Sequence, residues 1–506
     1  MIPILSAEQT RAADQYTIKN EPIASIDLME RASMAFAREF MKRFDSNHRV
    51  FVMAGIGNNG GDGLAISRLL ESKGYSVQVY AIGELEKASP DFLVNYQRLG
   101  MDVIWLTDAQ SIPITHSQDI LIDALFGSGL TRPLKGLYQQ VVESLNRMPC
   151  IKVSVDIASG LMADKLPEEG DMIFQPDLTF TFQCPKLTFF QPSTANYVGE
   201  FKVLDIGLDL SYLSGEESER QLTTFDDLGL LSAPRHRFSN KGDYGRLQLI
   251  GGSKGKIGSI CLSSLAAMRS GAGLLFSTVP ECGIDIIQQS VPEAMVHPGL
   301  GNEFLTKINV IEGAGVIGIG PGLGTSHDTM TAFDKLLDLI KPDQKLVLDA
   351  DAINILAQKL DWLSRLPEDS ILTPHPGEFA RLVGEWRDDF EKLSKLREFC
   401  TEHRVHVVLK GAYSAVCDKS GRIAFNPTGN AGMATAGSGD VLLGIIAGLL
   451  STTGLSPLDA LKAGVYVHGL AGDIAAQRQG ERSLIASDII EALPEAFQKI
   501  SKQRKI

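Results

Sequence analysis

Two glycine-rich segments carry most of the chemistry-bearing residues in this chain. The first, Gly55-Ile-Gly57-Asn58-Asn59-Gly60-Gly61-Asp62-Gly63, fits G-x-G-x-x-G and directly follows an apolar run at residues 50–54. Glycines there leave room for a tight turn, expose backbone N–H groups and aim a helix N-terminus at a phosphate. Asn58, Asn59 and Asp62 add side-chain amides and a carboxylate beyond what phosphate binding needs. No clear acid ends the next strand, where Glu84, past Gly83, is the only candidate. Two more acids close apolar runs. Asp123 precedes Phe126-Gly127-Ser128-Gly129-Leu130-Thr131-Arg132-Pro133, and Asp156 precedes Ile157-Ala158-Ser159-Gly160. Singly, each reads as a helix cap. Ligands of parallel sheets bind beyond the carboxyl ends of strands, so Asn59, Asp123 and Asp156 are expected in one crevice. Their oxygens suit a hard cation.

The second segment runs from Asn430 through Thr435, Gly437, Ser438 and Gly439 to Asp440 and leads into a wholly apolar helix. The unpaired N–H groups at such a helix start form a site for negative charge. Asp440 at the entrance could take a proton from a hydroxyl in line with a phosphate held there; alone it is equally an N-cap. Further motifs each follow an apolar run: Gly251-Gly252-Ser253-Lys254-Gly255, Gly320-Pro321-Gly322-Leu323-Gly324, Asp349-Ala350-Asp351, Thr373-Pro374-His375-Pro376-Gly377-Glu378 and Lys410-Gly411-Ala412-Tyr413-Ser414. No G-x-x-x-x-G-K-[ST] occurs, which argues against a P-loop kinase. His403 and His406 lack the spacing and acid of a zinc protease, so only His375 earns a role.

These residues need rigid elements behind them. Apolar runs at 50–54, 77–82, 103–106, 120–124, 151–157 and 178–182 alternate with helical patterns, among them Ile26, Met29, Ser33, Phe36 and Phe40. Runs at 246–250, 274–279, 316–319, 346–348, 370–372 and 405–409 alternate with helices near 257–270, 329–340 and 388–403, and residues 441–498 read as mostly helical. Alternation of this kind predicts βαβ units and parallel sheets covered on both faces. The expected organisation is two α/β domains, 1–215 and 225–506, joined by a polar linker at 216–224.

Composition sets the outer bounds. Of 506 residues 49 are glycine, and 48 basic residues against 61 acidic ones give a net charge of −13. A diffuse basic footprint is absent, so no nucleic-acid partner is expected. The six cysteines, at 150, 184, 261, 282, 400 and 417, form no C-x-x-C and point to buried thiols in a reducing compartment. Residues 1–10 show no secretory signal. The longest apolar stretch, 441–450, is too short to span a bilayer, so no membrane partner and a cytoplasmic location are expected.

Leu28-Met29-Glu30-Arg31-Ala32, Gly57 to Gly63, Gly127-Ser128-Gly129-Leu130 and Val155-Asp156-Ile157-x-Ser159-Gly160 resemble the NAD(P)H-hydrate epimerase domain. That family interconverts the C6 epimers of NAD(P)HX, a nicotinamide dinucleotide hydrated at C6 of the reduced ring. The resemblance implies a Rossmann-like αβα sandwich and a potassium ion held by Asn59, Asp123 and Ser159. It places Asn58, Asn59, Gly60, Gly61, Asp62, the loop Gly127 to Pro133 and Asp156 on the substrate. Ala158 departs from the family's usual proline. Our own reading makes Asp156 the proton-transfer group, given a buried setting.

From about 240 to 490 the ordered motifs resemble the ribokinase-like, nucleotide-dependent NAD(P)H-hydrate dehydratases. Those enzymes use ADP or ATP to phosphorylate the C6 hydroxyl of the S epimer, whereupon phosphate leaves and NAD(P)H returns. The resemblance puts Lys410, Gly411, Ala412, Tyr413, Ser414 and Gly439 on the nucleotide. It puts Ser259, Gly322, His375 and Asp440 on the hydrated dinucleotide, with Asp440 as base, although the family commonly has alanine where Ser259 stands. Mg²⁺ is expected with the nucleotide phosphates, and either unit is a candidate for self-association. The competing expectation is a ribokinase-type small-molecule kinase fused to a non-catalytic dinucleotide-binding scaffold.

Overall fold

The computed structural model describes residues 1–215, 218–232, 235–452 and 454–502. It divides into two compact units, residues 2–218 and residues 219–506 with Met1. Both are α/β.

In the first unit a short extended pair, Ile2–Pro3 (β1), precedes the helices Ala7–Asn20 and Ser25–Arg43. Seven strands follow: Arg49–Gly55 (β2), Ser76–Ile82 (β3), Val103–Trp105 (β4), Ile120–Ala124 (β5), Ile151–Val155 (β6), Leu178–Phe182 (β7) and Glu200–Leu204 (β8). They form one sheet, β4-β3-β2-β5-β6-β7-β8, parallel throughout. β2 from Val50 onward and all of β5 are buried, as expected of central strands covered on both faces. The helix Ser25–Arg43 lays Phe36 and Phe40 on a core of Val50, Val52, Ile120, Ile122, Val153, Val155 and Phe180. The chain leaves β2 toward β3 and β4, then returns to β5 on the other side. That reversal between β2 and β5 opens the crevice where doubly wound sheets bind ligands.

The second unit repeats the plan. Its strands are Arg220–Leu222 (β9), Arg246–Ile250 (β10), Leu274–Val279 (β11), Met295–Pro298 (β12), Val316–Ile319 (β13), Lys345–Leu348 (β14), Ile371–Leu372 (β15), His406–Leu409 (β16), Ala415–Cys417 (β17) and Ile423–Phe425 (β18). They run β9-β18-β17-β16-β15-β14-β13-β10-β11-β12, parallel except where β17 pairs antiparallel with β16 and β18. The order reverses between β10 and β13, so here too a crevice opens at that switch. The helix Ser438–Ser451 is buried along most of its length and packs on the helix Ile257–Arg269. A Cβ on Gly444 would lie 2.2 Å from the Ser263 carbonyl oxygen, and one on Gly448 2.7 Å from that of Ala267. Glycine is what permits this approach.

The structure departs from the sequence reading at several points. Strands β8, β9, β12, β17 and β18 were not among the expected runs; most are short, and β8 and β9 carry charged residues. The span 216–224, read as a linker, contains β9, which pairs with β18; its residues Glu216 and Glu217 lie outside the described residues. Cys150, Cys184, Cys400 and Cys417 are buried, but Cys261 is half-buried and Cys282 exposed. Among the described residues no helix is long and apolar enough to cross a membrane.

Candidate active sites

At the first switch point the helix Asn58–Glu71 starts on β2. A Cβ on Gly55 would lie 2.1 Å from the Leu125 carbonyl oxygen, and one on Gly60 1.7 Å from that of Gly55. These glycines bring the helix N-terminus against the end of β5. A cavity of about 580 Å³ lies there, lined by Asn58, Asn59, Asp62, Gly127, Ser128, Gly129, Leu130, Thr131, Arg132 and Asp156 among others. Gly60, Gly61 and Pro133, expected on the substrate, do not line it. Gly61 instead backs onto the Met29 sulfur, 2.9 Å from where a Cβ would sit.

Asp123 lies buried behind this wall. Its carboxylate accepts from the Ser159 N–H at 2.8 Å, the Ser159 hydroxyl at 2.5 Å, the Ser154 hydroxyl at 3.2 Å and the Leu125 N–H at 3.2 Å. Burial pushes its pKa up to about 6, and the Ser159 bonds hold it from rising further. All of these donors are neutral, and among the described residues no cationic side chain pairs with Asp123. Nearby, the buried Asn59 Nδ2 finds no hydrogen-bond partner among the described residues, and Asn59 packs 3.3 Å from where a Gly127 Cβ would sit. An uncompensated buried carboxylate with amide and hydroxyl oxygens beside it fits a monovalent cation, with Asn59, Asp123 and Ser159 as the residues that would hold it.

Asp156 occupies a left-handed backbone conformation with φ 66°. Its Oδ1 accepts from the Phe182 N–H at 3.1 Å, the Thr181 hydroxyl at 3.2 Å and the Lys186 ammonium. Lys186 is 1% exposed and also donates to Thr181 Oγ1 at 2.7 Å and the Cys184 carbonyl at 3.2 Å. Asp14, Asp62 and Asp91 line the same space. Burial, reinforced by Asp156, raises Asp62 well above the usual carboxylate range. Burial and then Asp156 push Asp14 up to about 7, against the pull of Lys186. Neither Asp14 nor Lys186 was found from sequence. Asp14 sits in no motif. Lys186 directly follows Pro185 after a strand, which is a weak signal.

In the second unit, beyond the ends of β15 and β16 and at the start of the helix Ser438–Ser451, Lys410, Gly411, Ala412, Tyr413, Ser414, Gly439 and His375 line a cavity of about 840 Å³. Both cavities fall in the usual range for small-molecule sites. Asn426, Thr428, Asn430, Thr435, Ser438 and His468 line it too; the β17–β18 hairpin that positions the first of them was not legible as strands. His468 is driven down to about pKa 4 by burial, so its ring is neutral near pH 7, with Nε2 3.3 Å from the Ser438 hydroxyl. His375 caps the helix Pro376–Val383: its Nδ1 accepts from the N–H groups of Gly377 at 3.0 Å and Glu378 at 3.3 Å.

Lys410 Nζ donates to the buried Asp349 at 2.9 Å and stands 3.9 Å from Glu378. Gly439 fits over it: a Cβ there would be 3.3 Å from Lys410 Nζ. Next to it, burial and Asp349 push Asp440 up to about pKa 6, while the Ser259 hydroxyl and Lys410 pull it down and Asp351 adds to the rise. Asp440, Ser259 and Gly322 do not line the large cavity but gather beside its Lys410 end. Gly322 has φ +60, accepts from the Ser253 hydroxyl at 2.8 Å, and would set a Cβ 2.6 Å from the Lys256 carbonyl oxygen. Asp349, Asp351, Glu378 and Asp440 outnumber Lys410 and Lys256 here. Among the described residues no three His, Cys, Asp or Glu side chains are grouped so as to hold a metal ion directly, so Mg²⁺ accompanying a phosphate here would be held mainly through water and phosphate oxygens.

Comparison with known proteins covers both units. Residues 25–188 match the family described as YjeF-related protein N-terminus, and residues 247–495 match the NAD(P)H-hydrate dehydratase family. The helix bearing Asp14 precedes the first match. The Bifunctional NAD(P)H-hydrate repair enzyme of Moorella thermoacetica is 33% identical over 99% of this chain and 97% of its own length. The Escherichia coli K12 protein of the same name is 35% identical over 92% of this chain and 88% of its own. Among solved structures, a ribokinase-like superfamily protein from Enterococcus faecalis V583 aligns with TM-score 0.50 and 30% identity, covering 56% of this chain and 97% of that one.

Proposed function

The chain belongs to the family of bifunctional NAD(P)H-hydrate repair enzymes, and from that premise we propose how its two sites divide the work. The activity is epimerisation of R- and S-NAD(P)HX together with nucleotide-dependent dehydration of S-NAD(P)HX to NAD(P)H. Family membership favours this over a small-molecule kinase joined to an inert scaffold.

The cavity at the β2–β5 switch takes the epimers. Asn58 and the Gly127 to Arg132 loop bind the dinucleotide, with Arg132 and Arg11 at the exposed rim for its diphosphate. Asp156 handles protons at the hydrated ring, fixed by Lys186. Asn59, Asp123 and Ser159 would hold a potassium ion, which would supply a countercharge to Asp123.

The second site dehydrates. Lys410, Gly411, Ala412, Tyr413, Ser414 and Gly439 bind ADP or ATP in the large cavity, and Ser259, Gly322, His375 and Asp440 meet S-NAD(P)HX. The single observation carrying this reading is Asp440 at the start of the helix Ser438–Ser451, bonded to Ser259 and beside Lys410. Its carboxylate takes the proton of the C6 hydroxyl as that oxygen attacks the terminal phosphorus, while the bridging P–O bond breaks and its electron pair leaves on the nucleotide, as AMP from ADP or ADP from ATP. Hydroxide is a poor leaving group and phosphate a good one. The phosphate then departs with the C6–O electron pair, and loss of a proton from C5 restores the ring double bond. Helix-entrance N–H groups at 437–440 stabilise the charge moving between oxygens. Mg²⁺ bound with the nucleotide would offset phosphate charge.

The test is an R,S-NADHX mixture given ADP or ATP while the return of NADH absorbance is followed. Conversion of both epimers is expected. A stable phosphorylated product without NADH would overturn the dehydratase assignment.

A further inference from the structure

We propose that Asp14 is the second acid–base group of the epimerase cavity, working with Asp156 on the C6 hydroxyl of NAD(P)HX. The inference rests on the epimerase reading of that cavity.

The geometry comes from one helix. Ala7–Asn20 is anchored by Ser6, which accepts from the Gln9 N–H at 3.1 Å while Gln9 Oε1 accepts from the Ser6 N–H at 2.9 Å. Ala13 and Thr17 are buried against the rest of the unit. Thr10, Asp14 and Ile18, at i, i+4 and i+8, therefore form one stripe, and all three line the cavity. Asp14 is the only titratable residue of that stripe. The charged and titratable groups facing it come from other elements: Asp62 at the helix start after β2, Asp156 after β6, and Cys184 and Lys186 after β7. Lys186 is committed to Asp156, Thr181 and the Cys184 carbonyl. Asp14 has no such cation of its own and is held near neutrality by burial and by Asp156. Two carboxylates in one cavity with unlike surroundings are how a site obtains an acid and a base together.

An epimerase needs that pair. Inverting C6 begins when Asp14 gives its proton to the C6 hydroxyl. The C6–O bond breaks, its electron pair leaves with the oxygen as water, and the N1 lone pair closes an N1=C6 double bond. C6 is then planar. A water adding from the other face returns the electron pair to N1 and passes its spare proton to Asp156. One water leaves and one enters, and one proton moves from Asp14 to Asp156. The opposite inversion, or proton exchange between the two interacting carboxylates, resets the pair.

The test uses the full chain and purified R-NADHX, following S-NADHX by chromatography, with dehydration of S-NADHX as internal control. Asp14→Asn should lower the epimerisation kcat by about 100-fold or more with KM changed little and dehydration unaltered. Asp14→Glu should recover part of the rate. In the unaltered chain kcat should fall as pH rises past about 7, where Asp14 loses its proton. An Asp14→Asn chain with near-normal kcat, or one changed in KM alone, overturns the proposal while leaving the epimerase reading intact. If the first unit of the Asp14→Asn chain does not fold, shown by loss of its own unfolding transition while dehydration persists, the pH profile decides, and a flat kcat from pH 6 to 9 overturns the proposal. Failure of the unaltered chain to accelerate epimerisation would instead sink the reading on which it rests.

Discussion

At the residue scale both sites depend on charges that burial makes costly. Asp440 titrates near 6 against an ordinary 3.8. Between those values the folded protein holds a proton that the unfolded chain has released, so this group's contribution to stability falls as pH rises through that window. Asp440→Asn removes the charge. At pH 7 it should stabilise the second unit by about 1 kcal/mol after allowance for solvent screening, read by urea denaturation. The same change should abolish NADH return. In the unaltered chain the dehydration rate should drop below pH about 6 as the base is protonated. Lys186 predicts the opposite balance. Lys186→Met leaves Asp156 without its buried ammonium, and breaking such a pair costs about 3–5 kcal/mol, visible as a lower denaturation midpoint for the first unit.

At the element scale the glycine motifs do two jobs, and sequence disclosed only one. Gly57 and Gly439 stand at the mouths of helix N-termini beside the cavities, as the phosphate reading expects. Gly60, Gly61, Gly444 and Gly448 serve packing, because another backbone or side chain occupies the space of a Cβ. Gly444→Ala offers better helix propensity by about 1 kcal/mol, yet its methyl would meet the Ser263 carbonyl and force two buried helices apart. A net loss of about 1–3 kcal/mol is expected, measured by thermal unfolding. Gly439→Ala meets only side-chain ends, Lys410 Nζ at 3.3 Å and an Asp349 carboxylate oxygen at 3.6 Å, so it should leave the melting temperature nearly unchanged while weakening nucleotide binding in a titration. Most strands that sequence found are largely buried, where continuous apolar runs are favoured; the half-exposed edge strand β4 is an exception. β17 and β18 escaped because each has three residues and a hairpin partner supplies its register.

At the scale of the whole molecule each cavity is lined by residues of a single unit: 10–208 for the first and 375–469 for the second. Each reaction should therefore survive loss of the other. Asp156→Ala should still return NADH from S-NADHX and stop once that epimer is exhausted. Asp440→Ala should still exchange the epimers but return no NADH. Mixing the two variant chains should restore conversion of both epimers, because the substrate passes through solution. An absorbance trace of the mixture that stops where Asp156→Ala alone stops would contradict this.

Local spacing determined the two α/β units, the strand ends and most ligand-facing loops, because a tight turn, a parallel strand and a helix start each dictate residue types over a few positions. Asn59, Asp123 and Asp156 were legible together for that reason: Asn59 and Asp156 follow strands, Asp123 lies near the end of one, and parallel strands end on one edge. Only the tertiary structure decided which groups share a proton or a charge. Asp14 lies 142 residues from Asp156, Lys186 reaches Asp156 across 30, and Lys410 reaches Asp349 across 61. Coulomb energy and desolvation depend on separation in space and on exclusion of water, and neither is written in the spacing of residues along the chain.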